Sequence, residues 1–201
     1  MLTRNSVWRF AFRLLLLYGL LVAPWPGLKQ AYGSFFRACG NKLFHSFGTG
    51  LRVDFRPPPV EQPAWDVEAY MSDGRKPGSW HIEYSSRGWG YLPTAAVMAL
   101  VLATPLTWRR RCVALFWGLV LVNIFVIMRV TISLLFGFHW GGSFQWGEFW
   151  GKVLKLLLFA FSDSPVTSFI VPVVIWLIVC YSRDDWEKLI RGKVDSTPEK
   201  T

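Results

Sequence analysis

The sequence predicts an all-α polytopic membrane protein with about four transmembrane helices and a small extracytoplasmic β-rich insert. Three observations indicate this fold class. Hydrophobic residues make up 52% of the 201 residues, several long apolar runs carry no charge, and basic residues flank those runs. A mean hydropathy of +0.30 favours lipid over water as the environment of much of the chain.

The first apolar run, Leu14–Leu28, follows a basic segment that contains Arg4, Arg9 and Arg13. Signal peptides and signal anchors share this arrangement. The run ends in the sequence VAPWP, which lacks a small-x-small cleavage site. We therefore expect an uncleaved anchor that forms the first span.

Three further runs predict spans two to four. The 21 residues of Gly88–Trp108 carry no charge, and at about 1.5 Å per residue they match the roughly 30 Å hydrocarbon core of a bilayer. The third span is predicted over Cys112–Met128. The fourth ends at Tyr181, and Asp163 and Ser164 are predicted to cap its amino end ahead of a proline.

Two predicted interfacial segments separate spans three and four. Phe136–Trp150 is rich in glycine, phenylalanine and tryptophan, a composition typical of the headgroup boundary. Lys152–Phe161 is short and apolar but carries two lysines, which predicts a helix that lies in the interface.

Basic residues predict the orientation in the membrane. Arginines precede span one, the RRR triplet at 109–111 separates spans two and three, and the tail after span four is basic. Short cytoplasmic segments are enriched in this way, so we expect both termini in the cytoplasm and the protein in the inner membrane. The net charge of +9 then reflects basic residues that flank the spans, and we expect them to contact anionic membrane lipids rather than nucleic acid.

The segment between spans one and two is predicted to hold a helix and a sheet outside the cytoplasm. Tyr32, Phe36, Cys39 and Leu43 recur at helical spacing, which indicates an amphipathic helix. Apolar and polar residues then alternate over 51–56, 65–69 and 80–84, which predicts three strands. Because three short strands bury little by themselves, we expect the membrane or a partner to cover their apolar face.

These elements divide the chain into four parts. Residues 1–28 form the amino-terminal segment and first span, and 29–87 form the extracytoplasmic module. Residues 88–181 hold the other three spans and the interfacial helix, and 182–201 form the cytoplasmic tail.

Two polar residues fall inside the predicted third span. A guanidinium in a spanning segment is costly, so Arg129 either snorkels to the nearby boundary or faces the bundle as the partner of an anion. Asn123 lies near mid-membrane and is expected to hydrogen-bond another helix.

Cys39, Arg129 and His139 form the one conceivable catalytic set, because all three are predicted on the extracytoplasmic side. Cys39 would supply a thiolate and His139 an acid or base. Cys39 lies, however, on the apolar face of its helix, where packing is the simpler explanation. The three histidines lack metal-ligand spacing, and no cofactor motif occurs, so we favour no catalytic residue and expect neither metal nor cofactor.

Three stretches carry a family resemblance: GWGYLP at 88–93, MALVLATP at 98–105 and RRR at 109–111. They resemble the accessory membrane proteins associated with exosortases, notably the exosortase H-associated type. The exosortase and archaeosortase enzymes themselves have a cysteine at the outer start of one helix, then an arginine and a histidine, and Arg129 and His139 stand where the latter two would. Where the enzymes have cysteine, this chain has YLP after Gly90, so the resemblance implies a partner without catalysis.

Three functions follow from these observations. The first is a non-catalytic accessory protein at the extracytoplasmic face, partnering an exosortase-like or other envelope protein-sorting system. The second is a divergent cysteine transpeptidase or protease that uses Cys39, His139 and Arg129. The third is a transporter or channel subunit, for which Asn123 and Arg129 provide few intramembrane polar groups.

Overall fold

The computed structural model describes residues 4–23, 25, 27–47, 50–60, 64–74, 79–143, 147–163 and 167–181. The fold is mostly helical with one small sheet, which confirms this part of the predicted fold class. The elements run in the order α1 (Arg4–Val22), α2 (Leu28–Phe44), β1 (Ser46–Phe47), β2 (Leu51–Arg56), β3 (Val67–Asp73), β4 (Ser79–Tyr84), the π-helical turn π1 (Arg87–Tyr91), α3 (Leu92–Ala103), α4 (Trp108–Trp140), α5 (Glu148–Leu158), the π-helical turn π2 (Phe159–Asp163) and α6 (Thr167–Cys180).

The helix predicted over Gly88–Trp108 ends early, at Ala103. Thr104 is extended, with φ −72° and ψ 132°, because Pro105 disfavours a helical conformation for the residue before it. α3 lies at the centre of the bundle, where it contacts α1, α4 and α6. Most of its side chains are consequently buried by protein.

α4 does not stop at Met128 as predicted but continues unbroken to Trp140. Its 33 residues extend about 50 Å at 1.5 Å per residue. Val130, Leu134 and Phe138 recur every fourth residue on one face and pack against the sheet. This burial explains why residues predicted to form an interfacial segment remain helical.

Among the described residues, α4 is the one helix long and apolar enough to cross a membrane by length and composition. α6, with 14 residues, is a shorter apolar helix. The number of four spans therefore stays a prediction.

The sheet is antiparallel in the order β1-β2-β3-β4, and its three longer strands confirm the number predicted. The middle one, β3, covers Val67–Asp73 rather than the predicted 65–69. Their buried face carries Val53, Phe55 and Met71, among other residues. α2 and the second half of α4 cover that face. The expectation that a membrane or partner covers it is wrong, because α4 is long enough to reach it.

Two hydrophobic cores follow from this arrangement. The sheet core joins the strands to α2 and to α4 from Val126 onwards. The bundle core joins α3, the first half of α4 and α6, with Val122 as its last contribution from α4. The two cores meet on α4 between Val122 and Val126, and Arg129 lies about one turn further along.

The arginines at 109 and 110 lie at the end of the bundle opposite the sheet. They line a cavity there with Cys180 and Tyr181. Cys112 is exposed near the start of α4 and Cys180 is buried at the end of α6. The two cysteines therefore lie toward the same end of the helices.

The segment before α6 differs in detail from the prediction. α5 begins at Glu148, four residues before the predicted Lys152, and an ion pair of 2.7 Å joins these two side chains. The predicted cap by Asp163 and Ser164 lies outside the described residues, because the side chain of Asp163 and the whole of Ser164 are not described. α6 begins at Thr167.

Candidate functional site

Arg129 is buried at the junction of the two cores, with 2% of its surface exposed. Its guanidinium carbon lies 4.6 Å from the ring centroid of Trp89 and 5.5 Å from that of Phe125. Nη1 donates a hydrogen bond of 3.2 Å to Oγ of Ser168 on α6. The side chain thus faces the protein interior and does not snorkel, and desolvated cation–π contacts of this kind contribute about 2 kcal/mol or more.

Trp89 links Arg129 to the sheet. The Trp89 and Tyr84 rings meet edge to face with centroids 4.9 Å apart. The hydroxyl of Tyr84 donates a 3.1 Å hydrogen bond to Oγ of Ser133 on α4. Burial raises the pKa of Tyr84 above its ordinary value, so this phenol stays neutral. We use the name Arg129 cluster for Arg129 and the residues that surround or support it, which are Trp89, Tyr84, Ser133, Phe125 and Ser168.

Asp66 positions Trp89 by fixing the start of π1. Its Oδ1 accepts a 2.7 Å hydrogen bond from the amide of Ser86, and its Oδ2 accepts one of 2.5 Å from the Ser86 hydroxyl. A carboxylate at the first turn satisfies amides that have no partner inside the helix. The chain therefore leaves β4 and enters the bundle at a defined angle.

The three residues of the conceivable catalytic set do not come together. Cys39 lines a cavity of about 100 Å³ together with Asn123 and with apolar residues of α2 and α4 such as Val126. His139 lies ten residues beyond Arg129 on the same helix, about 15 Å along its axis. It packs against α5, where a Cβ at Gly151 would be 2.7 Å from His139 Nε2. Because His139 lies 13 residues beyond Val126 on α4, this placement argues against a thiol–imidazole pair between Cys39 and His139.

Asn123 binds its own helix rather than another one. Nδ2 donates a 2.7 Å hydrogen bond to the carbonyl oxygen of Leu119, one turn earlier in α4. The expectation of a contact between helices is therefore wrong for this donor, since an asparagine can reach the carbonyl four residues back.

Asn41 performs a structural role that the sequence did not indicate. Its Oδ1 accepts a 2.6 Å hydrogen bond from the amide of Phe55, and its Nδ2 donates one of 3.0 Å to the carbonyl of the same residue. The side chain thereby replaces a neighbouring strand at the edge of β2. In the sequence, Asn41 is distinguished only as one of the polar residues of an amphipathic helix. The adjacent Lys42 has the same property, so the pattern does not identify Asn41.

The face of the sheet that points away from the helices is polar. Its members are Arg52, Asp54, Arg56, Glu68, Tyr70, His81 and Glu83, which we call the polar sheet face. Arg56 forms a 2.6 Å ion pair with Asp54 and lies over the Tyr70 ring, and Tyr70 donates a 2.8 Å hydrogen bond to Glu68. Both signs of charge are thus displayed side by side.

Within the described residues, no group of three or more His, Cys, Asp or Glu side chains could hold a metal ion. The chain matches no protein-family model, no curated protein and no solved structure.

Proposed function

We propose that this chain is a non-catalytic scaffold of the cytoplasmic membrane that presents the polar sheet face to a protein partner outside the cytoplasm. The observation that carries the proposal is the contrast between the two faces of the sheet. The apolar face is already covered by α2 and α4 of the same chain. The opposite face is polar, and although Glu68 is buried on it, its exposed members are Arg52, Arg56, His81 and Glu83.

Exposed apolar side chains on the bundle support the membrane placement. Large hydrophobic residues of α1, α4 and α6 point outward, and they include Trp8, Phe12, Leu15, Phe116, Trp117, Ile124, Phe169, Ile170 and Ile178. Monomeric soluble proteins rarely expose contiguous apolar patches above a few hundred Å². Lipid is the solvent that suits such a surface.

The distribution of charge supports the orientation. Arg109 and Arg110 lie at the end of the bundle that is remote from the sheet. Arginines of short loops are retained in the cytoplasm, which directs the sheet to the other side.

The Arg129 cluster supports a scaffold rather than an enzyme. It joins the last strand of the sheet to α4 and α6 through buried contacts, so the sheet is held at a defined angle to the bundle. An exosortase-like protein-sorting enzyme is the partner we propose, on the strength of the sequence resemblance at 88–93, 98–105 and 109–111.

Cysteine labelling tests the membrane placement. In a variant with Cys39→Ser, Cys180→Ser and Ser79→Cys, the exposed native Cys112 reports one end of the bundle and position 79 reports the sheet. In spheroplasts, a membrane-impermeant maleimide is expected to label position 79 at once and Cys112 only after permeabilisation. Equal labelling of both thiols in intact spheroplasts would overturn the proposed orientation.

Photocrosslinking tests the partner. A crosslinking amino acid at His81 on the polar sheet face is expected to capture a co-expressed exosortase-like enzyme, and one at the lipid-facing Phe116 is not. Cys39→Ser is expected to leave sorting of that enzyme's substrate unchanged. Equal capture from both positions contradicts the proposed surface, and loss of sorting in Cys39→Ser would favour the thiol enzyme instead.

A further inference from the structure

A cavity of about 150 Å³ lies where α1 ends and α2 begins. Lys29, Arg87, Tyr32, Tyr91, Trp25 and Ser86 are among the residues that line it. We call it the α1–α2 cavity. It is separate from the Arg129 cluster, and the polar sheet face contributes no residue to it.

The cavity carries excess positive charge. Lys29 and Arg87 are exposed at its rim, and Lys29 also lines a neighbouring cavity of about 240 Å³ together with Arg37. Asp66 is the one carboxylate among the described residues that line either cavity, and Ser86 donates to both of its oxygens. Three cations against one occupied carboxylate favour an anionic ligand.

The cations are held at the level where the apolar run of α1 stops. Nη2 of Arg87 donates a 2.8 Å hydrogen bond to the carbonyl of Val22, the last residue of α1. The hydroxyl of Tyr91 donates to the carbonyl of Leu21 beside it. A guanidinium has five N–H donors, so Arg87 keeps further donors beyond the one that holds it in place.

Trp25 lies on the same rim, three residues after the end of α1 at Val22, and its side chain is half exposed. Tryptophan and basic residues together are typical of the boundary between hydrocarbon and headgroups. With α1 in the membrane as proposed above, this rim coincides with the layer of lipid phosphates.

We propose that the α1–α2 cavity binds the phosphate group of an anionic phospholipid. Lys29 and Arg87 contact the phosphate oxygens, and the apolar outer surface of α1 contacts the acyl chains. The cavity is smaller than the roughly 300–1,000 Å³ typical of pockets for drug-sized ligands, which suits a headgroup rather than a whole small molecule. The proposal rests on the membrane placement proposed above.

Calorimetric titration of the full chain in a neutral detergent tests this site. The ligands are short-chain phosphatidylglycerol, short-chain phosphatidylcholine and inorganic phosphate, each at the same ionic strength. We expect saturable binding of phosphatidylglycerol, with an affinity lowered about fivefold by Lys29→Gln, the effect of one cation near an anionic surface. Arg87→Gln is expected to weaken binding further, and circular dichroism checks that this variant is folded.

Lys42→Gln is the matched control, because it removes the same charge from the same helix about 20 Å away. Equal loss in Lys29→Gln and Lys42→Gln would overturn the site in favour of diffuse attraction. Binding of phosphatidylcholine as tightly as phosphatidylglycerol would also overturn it. Binding of phosphate alone with the affinity of the lipid would exclude a lipid and identify a free anion as the ligand. Labelling of the cysteine variant is independent, so failure of the topology and failure of this site are distinguishable.

Discussion

The bundle of α1, α3, α4 and α6 differs in construction from the sheet module, by which we mean α2 and the four strands, although α4 runs through both. In the bundle, small and aliphatic side chains such as Val97 and Val101 lie inside, while large apolar side chains such as Phe116 and Trp117 point outward. In the sheet module, Phe36, Phe55, Tyr84 and other large rings are buried and the outward face is charged. This contrast supports the proposal that the bundle faces lipid and the sheet faces water, because apolar surface is favoured in lipid and charged surface in water.

The largest expected effect distinguishes the two regions directly. Phe55 is 3% exposed and its ring contacts those of Phe36, Phe44 and Tyr84. Phe55→Ala is expected to lower the stability of the sheet module by about 3–5 kcal/mol, measured by hydrogen exchange of the strand amides in detergent. Phe116→Ala, at a position 62% exposed on the bundle, is the control and is expected to change stability little. Similar losses in the two variants would contradict the idea of different solvents.

The next effect concerns the point where the two cores join. Arg129→Gln removes the cation that lies on Trp89 and Phe125, and is expected to cost about 2 kcal/mol or more in thermal unfolding. Arg129→Lys keeps the charge but loses the planar group that stacks on rings, so its loss should be smaller. If the two variants are as stable as the parent, the Arg129 cluster does not hold the sheet to the bundle.

A smaller effect is expected at the edge of the sheet. Asn41→Ala leaves the backbone amide and carbonyl of Phe55 without their side-chain partner, at a cost of about 1–3 kcal/mol. Asn41→Asp keeps the acceptor and loses the donor, so its loss of stability should be smaller than that of Asn41→Ala. Lys42→Ala on the same helix provides the baseline. Equal unfolding temperatures for Asn41→Ala and Lys42→Ala would show that the bond to the strand contributes nothing.

The smallest effect is a loss of stability at alkaline pH, and it arises from Tyr32 on α2, whose ring contacts Tyr91 of π1. Burial raises the pKa of Tyr32 from 10.0 to about 12, since the charged phenolate is disfavoured there. The folded state thus keeps a proton that the unfolded state loses, and the stability from this group, present below about pH 10, falls as pH rises toward 12. Tyr32→Phe is expected to flatten the pH dependence of the unfolding temperature in this window. An unchanged slope in that variant would assign the alkaline loss to other groups.

Local patterns determined much of the sheet and little of its surroundings. Alternation over 51–56 and 80–84 predicted strands that the structure has, because a period of two leaves one face apolar in any sheet. The neighbouring α2 covers part of that face, but the rest is covered by the second half of α4, which comes after the whole sheet in the chain and which no local pattern reveals. The same holds for Asn41, whose amide reaches β2 only after α2 has packed there.

Arg129 marks the boundary between what each level decides. The sequence alone shows that a guanidinium lies within an apolar run, where it must either snorkel to the boundary or find a partner, since desolvated charge is costly. Phe125 lies four residues before Arg129 on α4, so helical spacing alone brings these two together. The approach of Trp89 from π1 and of Ser168 from α6, and the placing of Cys39 on another cavity, follow from the tertiary packing. Composition and periodicity indicate which faces of an element are apolar. Which side chains contact each other depends on where the long helix α4 crosses the other elements.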